Sequence, residues 1–208
     1  MKKAFTLAEV LITLMIVGVV AAMTVPTLLG NADDKALATG ALKAYAALAN
    51  ATKQLQTEKG PTRFWDLTPA NVTKWYKLKL NSSIQIPESY TTYYLNQSAY
   101  TNANMFNPDT SFITSDGMLF YIQSVSANCS GGGTENWADG CINFGIDVNG
   151  RKPPNTVGLD IYGFYINKDG DFLPEGTIKG VVNTNNCSSS GSGWSCSQKV
   201  VAEGKITW

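Results

Sequence analysis

Histidine is missing from all 208 residues. Its absence removes Ser-His-Asp and Cys-His catalysis and takes away the commonest zinc ligand. An enzyme would have to use a carboxylate pair or a lysine. The 16 acidic residues are scattered without a pattern that singles out such a pair. Charge is sparse too: Asp, Glu, Lys and Arg form 15% of the chain, with 16 basic residues against 16 acidic ones. That balance makes no electrostatic case for a nucleic-acid partner, which calls for a basic stripe. Cysteine is limited to Cys129, Cys141, Cys187 and Cys196. These four lack the Cys-x-x-Cys spacing of a four-thiolate zinc site. The composition reads as a non-enzymatic protein rich in Asn, Ser, Thr and Tyr.

Apolar residues, by contrast, are concentrated at one end. After Lys2 and Lys3 an apolar run extends from Phe5 to about Val25, and its only ionisable side chain is Glu9. About twenty such residues can cross the hydrocarbon core of a bilayer. A carboxylate within the run costs about 2.5–3.5 kcal/mol by insertion scales and calls for a partner. A secretory signal peptide would use the two lysines as its basic region and Val20-Ala21-Ala22 as its cleavage site. A plain anchor would keep the lysines in the cytoplasm. Neither accounts for Glu9, nor for the helix-compatible sequence beyond the run.

Ala4-Phe5-Thr6-Leu7-Ala8-Glu9, followed by Val10-Leu11-Ile12, resembles the processing site of type IV prepilins and type II secretion pseudopilins. In that family a membrane-embedded aspartyl peptidase, the prepilin peptidase, cuts before the phenylalanine and methylates the new amine. The resemblance implies cleavage between Ala4 and Phe5, N-methylation of Phe5, and an assembly role for Glu9, fifth in the mature chain. Ala4 departs from the Gly usual before the cut, but it is small enough for cleavage to survive. Pro26 falls where pilins carry a helix-bending proline, and Gly18 occupies another familiar position. Over roughly the first thirty residues the likeness is specific; beyond them it is architectural.

The chemistry of these residues fits that implication. The Phe5 amine and Glu9 lie one helical turn apart on the same face, and the helix dipole favours a carboxylate there. In a filament, the resemblance implies that Glu9 meets the Phe5 amine of a neighbouring subunit. An unpaired buried charge is strongly disfavoured, so the pair would report axial register.

Removing residues 1–4 leaves 204 of the 208, enough for one long helix and one globular domain. Without Lys2 and Lys3, 14 of the 16 basic residues face 16 acidic ones, a balance of −2. Leu37, Ala41, Ala44, Leu48, Thr52 and Leu55 recur at spacings of three and four, an apolar helical stripe. Gly60-Pro61 ends it. A helix from Phe5 to Lys59 would run roughly 80 Å at 1.5 Å per residue. The expected organisation is a leader at 1–4, a transmembrane or filament-core half at 5–29, an amphipathic half at 30–59 and a β-rich head at 60–208.

Within the head, Thr68 is expected to cap a short helix with Pro69 at its first position and Trp75 and Tyr76 inside. Phe112-Ile113 and Met118 to Ile122 suggest a hairpin about Asp116-Gly117. Ile142, Phe144, Ile146 and Val148 alternate as in a half-buried strand. Ile161 to Ile166 is a further strand, turning at Asp169-Gly170 towards Phe172-Leu173. Weaker strand candidates are Ile178 to Val182, Lys199 to Ala202 and Lys205 to Trp208. The fold class is α+β, a pilin-like long N-terminal helix packed on a mostly antiparallel sheet.

In an exported chain four cysteines point to two disulfides, with three pairings open. Pairing Cys129 with Cys141 and Cys187 with Cys196 closes two short Gly/Ser/Asn-rich loops, each bridge contributing roughly 3 kcal/mol. The loop from Asp147 to Asp160 offers oxygen ligands at Asp147, Asn149, Asn155 and Asp160, which makes calcium the candidate ion. It does not meet the EF-hand pattern, and Asn-Gly turns form without metal. Tyr90, Tyr93, Tyr94 and Tyr100 offer either a binding face or ordinary packing.

The reading is a structural subunit of a type IV pilus or a type II secretion pseudopilus. It is expected in the bacterial cytoplasmic membrane as a single-pass protein with its head outside the cytoplasm, then in a periplasmic or extracellular filament. Its partners would be other pilin subunits, the prepilin peptidase, the inner-membrane assembly platform and, before assembly, the membrane. The alternative is a minor pilin that acts as an adhesin or ligand-binding module on the filament.

Overall fold

The computed structural model describes residues 6–80, 110–131, 139–150, 152–178, 181–182, 185–188 and 191–208. Helix α1 runs over Leu7–Lys59. The chain divides into two units, residues 1–36 and 37–208, and α1 contributes to both. In the first unit every described side chain is exposed. Leu7–Pro26 is long and apolar enough to cross a membrane, with a mean hydropathy of 2.3.

In the second unit α1 buries one face. Ala38, Ala41, Ala44, Leu48, Ala51, Thr52 and Leu55 are within 2% of complete burial. Small residues there make room for side chains of the head: a Cβ added at Gly40 would lie 3.1 Å from the Cβ of Val148. Thr52 satisfies its hydroxyl twice, on the Leu48 carbonyl and the Tyr76 hydroxyl, each at 2.8 Å. The helix stops at Lys59 because Gly60 takes a left-handed φ of 76° and donates its N–H back to Gln56, while Pro61 cannot continue the helix. A short 3-10 helix, Thr62–Phe64, leads to α2, Pro69–Lys79. The Thr68 hydroxyl accepts the Asn71 N–H, as a Thr-Pro start predicts.

Five strands follow in chain order as one antiparallel meander: β1 Ser111–Ile113, β2 Leu119–Val125, β3 Gly140–Asp147, β4 Ile161–Asn167 and β5 Phe172–Pro174. The β1–β2 turn holds Asp116-Gly117, with Gly117 at a φ of 88°. Phe120, Ile122, Ile142, Phe144, Ile146, Phe164 and Ile166 share the core with the α1 stripe. Phe144 and Phe164 sit in an aromatic cluster with Tyr45, Tyr76 and Phe172, ring centroids 4.8–6.0 Å apart. Each buried aromatic contributes about 1.5–3 kcal/mol, so this cluster fastens helix to sheet.

Strand β3 departs from the half-buried reading, since all eight of its residues are buried. The alternate residues Asn143 and Gly145 look polar or featureless in sequence, but other groups cover them. Tyr121, opposite Gly145, lies across it, so that a Cβ there would stand 1.7 Å from the tyrosine Cζ. The neighbouring Gly163 on β4 is covered in the same way by the carboxyl group of Glu175. The second face of the sheet is therefore packed too.

Three weaker strand expectations need correction. Residues 178 to 182 are not one strand: β6 Thr177–Ile178 pairs with β7 Val181–Val182 as a separate small hairpin. Lys199 to Ala202 lies in a helix, α3 (Cys196–Glu203). A short apolar run cannot by itself tell strand from helix, and here Gly204 in the left-handed region accepts the helix end. Lys205 to Trp208 joins no sheet, and the Trp208 indole N–H donates to the Gly158 carbonyl at 3.0 Å. Disulfides join Cys129 to Cys141 and Cys187 to Cys196.

Candidate functional site

Ala4 and Phe5, the expected processing residues, lie outside the described residues, as do Tyr90, Tyr93, Tyr94 and Tyr100. Glu9 is described, and its carboxylate is already engaged. Thr6 precedes the first helical residue, Leu7, and its hydroxyl accepts the Glu9 N–H at 3.2 Å. In return, Glu9 Oε2 accepts the Thr6 N–H at 2.8 Å and the Thr6 hydroxyl at 2.9 Å. This is a capping box, in which two orphan N–H groups of a helix start are satisfied reciprocally. Thr6 is not among the residues expected at the site, and the signal for it is the Thr-x-x-Glu spacing itself.

The rest of the span keeps its polar atoms to itself. The Thr13 hydroxyl donates to the Val10 carbonyl and that of Thr24 to the Val20 carbonyl, each at 2.9 Å. Hydroxyls that bond back to their own helix suit an environment without water. The helix continues through Pro26, whose missing N–H leaves the Ala22 carbonyl without its usual donor. What results is an exposed apolar helix with a single carboxylate near its start.

Residues 1–25 match the family model described as the prokaryotic N-terminal methylation motif. The chain opens with a prepilin-type methylation motif. That motif is the prepilin-type cleavage and methylation segment of type IV pilins and pseudopilins, and the apolar helix that follows fits anchoring in a membrane. Pilins are structural proteins rather than enzymes. Comparison with curated proteins and with solved structures returned no match.

The head brings Asp147, Asn149, Asn155 and Asp160 into one loop, with Asp147 and Asp160 fully buried. The loop is closed largely by its own bonds. The two Asp160 oxygens accept the N–H groups of Asn155 and Thr156, at 2.7 and 2.6 Å. Asp147 Oδ1 accepts the Asn149 N–H, and Asn149 Nδ2 donates to the Pro153 carbonyl, each at 3.2 Å. Burial pushes the Asp160 carboxyl above its ordinary range, against the pull of the Thr156 and Asn155 N–H groups. Asn149 Oδ1 is buried without a hydrogen-bond partner. The hard oxygens suit calcium in kind, though the Asp160 pair already serves the backbone. Among the described residues no group of three His, Cys, Asp or Glu side chains could hold a metal ion. The expected turn at Asp169-Gly170 is an Asx turn: Asn167 Oδ1 accepts the N–H groups of Asp169 and Asp171.

Proposed function

We propose that this chain is a structural subunit of a type IV pilus or a type II secretion pseudopilus. Cleavage between Ala4 and Phe5 and methylation of Phe5 release a mature subunit from the bacterial cytoplasmic membrane, its head outside the cytoplasm. The inner-membrane assembly platform then draws it into a helical filament through α1, with Pro26 allowing the helix to bend. The carrying observation is the methylation motif opening directly onto an exposed 20-residue apolar helix whose one carboxylate is oriented by Thr6.

The capping box supports this assembly role for Glu9. All three bonds with Thr6 use Oε2, the Thr6 hydroxyl or the Glu9 N–H, so Oε1 takes none of them. Glu9 can stay capped within its own chain while Oε1 meets the methylated amine of a neighbouring subunit. Mass spectrometry of the protein purified from membranes tests the processing step. The expected mature chain begins with N-methylated Phe5, and one beginning at Ala22 or Met23 overturns the reading.

Calcium in the Asp147–Asp160 loop is a second proposal, favoured by the orphan Asn149 Oδ1 beside two buried carboxylates. A calcium-dependent rise in unfolding temperature, abolished by Asp147→Asn, supports it. An unfolding temperature indifferent to calcium leaves the loop as a purely structural turn.

A further inference from the structure

A second polar constellation lies inside the head. Glu175 follows β5 and is 2% exposed. Its carboxyl group lies over β4 at Gly163, where an added Cβ would stand 2.5 Å from the glutamate Cδ. Only the lack of a side chain at Gly163 makes room for it. From β3, Asn143 Nδ2 donates to Glu175 Oε1 at 2.8 Å. The other half of the same amide, Asn143 Oδ1, is buried without a partner. The ion pairs found among the described residues are Lys43–Asp116, Lys79–Glu58 and Lys168–Asp139, and none includes Glu175.

An ionised carboxylate only accepts hydrogen bonds, so it could not serve Asn143 Oδ1. Ionisation would leave a buried charge and an orphan acceptor side by side, both costly. The neutral acid removes both faults. Glu175 Oε2–H can donate to Asn143 Oδ1 while Oε1 accepts from Nδ2, the paired bonds of an acid–amide dimer.

The backbone of the same residue is a junction. The Glu175 N–H donates to the Gly163 carbonyl, and its own carbonyl accepts the Gln198 N–H, each at 3.0 Å. Beside it, Ser197 Oγ accepts the Gly163 N–H at 2.8 Å and donates to the Trp194 carbonyl at 2.8 Å. Helix α3, whose first residue carries the Cys187–Cys196 disulfide, is thus tied to β4 through the residue that bears the carboxyl group.

We propose that burial beside the orphan Asn143 Oδ1 keeps Glu175 as the neutral acid, and that the Glu175–Asn143 pair is a proton-dependent clasp fixing α3 to the sheet. Loss of the proton loosens α3 while the α1–sheet core on the opposite face stays packed. This goes beyond the assembly role and does not depend on it. Burial pushes the Glu175 carboxyl up to about 7, with the Asn143 bond acting in the opposite direction.

Other titratable groups lie on the surrounding elements, among them the Tyr121 hydroxyl on β2, which stands over Gly145, the cross-strand partner of Gly163, and the Tyr162 hydroxyl on β4, which donates to the Leu159 carbonyl. The Tyr165 hydroxyl on β4 donates to the Thr177 carbonyl. Lys199 Nζ on α3 lies 5.1 Å from the Trp208 ring centroid, and Glu203 accepts from the Thr207 hydroxyl. Asp147 on β3 accepts the Asn149 N–H.

Hydrogen exchange of the full-length protein in detergent tests the clasp, resolved to the α3 amides and scaled to intrinsic rates. Wild-type protection of α3 is expected to fall by about tenfold or more between roughly pH 5.5 and 8.5. Glu175→Gln, which can donate to Asn143 Oδ1 at any pH, is expected to hold its protection constant. Equal wild-type protection at both pH values overturns the proposal, as does an equal loss in Glu175→Gln. Should that variant not fold, a side-chain carbon titration of the wild-type glutamates decides. One carboxyl titrating well above the ordinary value of about 4.3 supports the clasp, and its absence overturns it.

Discussion

Thr6 and Glu9 cap each other: the threonine hydroxyl accepts the glutamate N–H while one glutamate oxygen accepts both the N–H and the hydroxyl of Thr6. A carboxylate in an apolar helix is costly because nothing around it replaces water. The helix start is the one place where unmet backbone donors and the positive end of the dipole offer compensation. Glu9 therefore stands where a carboxylate is least expensive in such a segment, and Thr6 holds it there.

Thr6 should then matter to assembly in its own right. Thr6→Val removes the hydroxyl and should weaken the helix start by about 1 kcal/mol, the usual worth of a cap. Filament yield after shearing should fall for Thr6→Val and be retained for Thr6→Ser. Glu9→Leu should leave the head folded, by circular dichroism, yet yield few filaments. Normal filaments from Glu9→Leu would remove the assembly role.

Gly145 and Gly163 should be intolerant of alanine. A Cβ at Gly145 meets Tyr121 Cζ at 1.7 Å, and one at Gly163 meets Glu175 Cδ at 2.5 Å. Overpacking of this kind costs about 1–3 kcal/mol, with Gly145→Ala expected at the upper end because a whole ring must move. Denaturant unfolding of the two variants measures it. A value within experimental error of wild type would mean that the second face is loosely packed.

Reduction should destabilise the C-terminal part of the head. Cys187 and Cys196 are nine residues apart, and closing so short a loop contributes roughly 3 kcal/mol in the chain-entropy model. Cys187→Ser paired with Cys196→Ser should lower the unfolding midpoint, and a reductant should do the same to the wild type. No change in either would show that hydrogen bonds alone hold α3 in place.

Head stability should decline as pH rises towards neutrality. The Glu175 carboxyl is raised from 4.5 to about 7, so the fold favours its protonated form. That contribution is complete below about pH 4.5 and is lost as pH climbs through about 7, a total of about 3 kcal/mol. Unfolding monitored by tryptophan fluorescence should give midpoints that fall across this window in the wild type. They should stay level in Glu175→Gln, and parallel curves would assign the pH dependence to other groups.

Features that depend on neighbours along the chain were legible in sequence. The apolar run, the stop at Gly60-Pro61, the Thr68-Pro69 start and the Asp116-Gly117 turn all follow from a few consecutive residues and the backbone angles they permit. So did the methylation motif, since a peptidase reads a linear segment. The Thr6–Glu9 box belongs to the same class, with its spacing of three.

Contacts between residues far apart in sequence were decided only by the tertiary structure. Nothing in Gly145 announces that Tyr121 covers it, and nothing around Glu175 announces that Asn143, 32 residues earlier, donates to it in a buried site. The alternation in β3 suggested one wet face, yet burial depends on what folds over a strand and not on the strand itself. Lys199 to Ala202 became helix because a short apolar run takes the form its packing surface and its terminal Gly204 allow. The sequence by itself determined the methylation motif and the apolar span, because local geometry and transfer from water act residue by residue. Tertiary structure decided how the head is closed and that the Glu175 carboxyl is buried, because desolvation is a property of the surroundings.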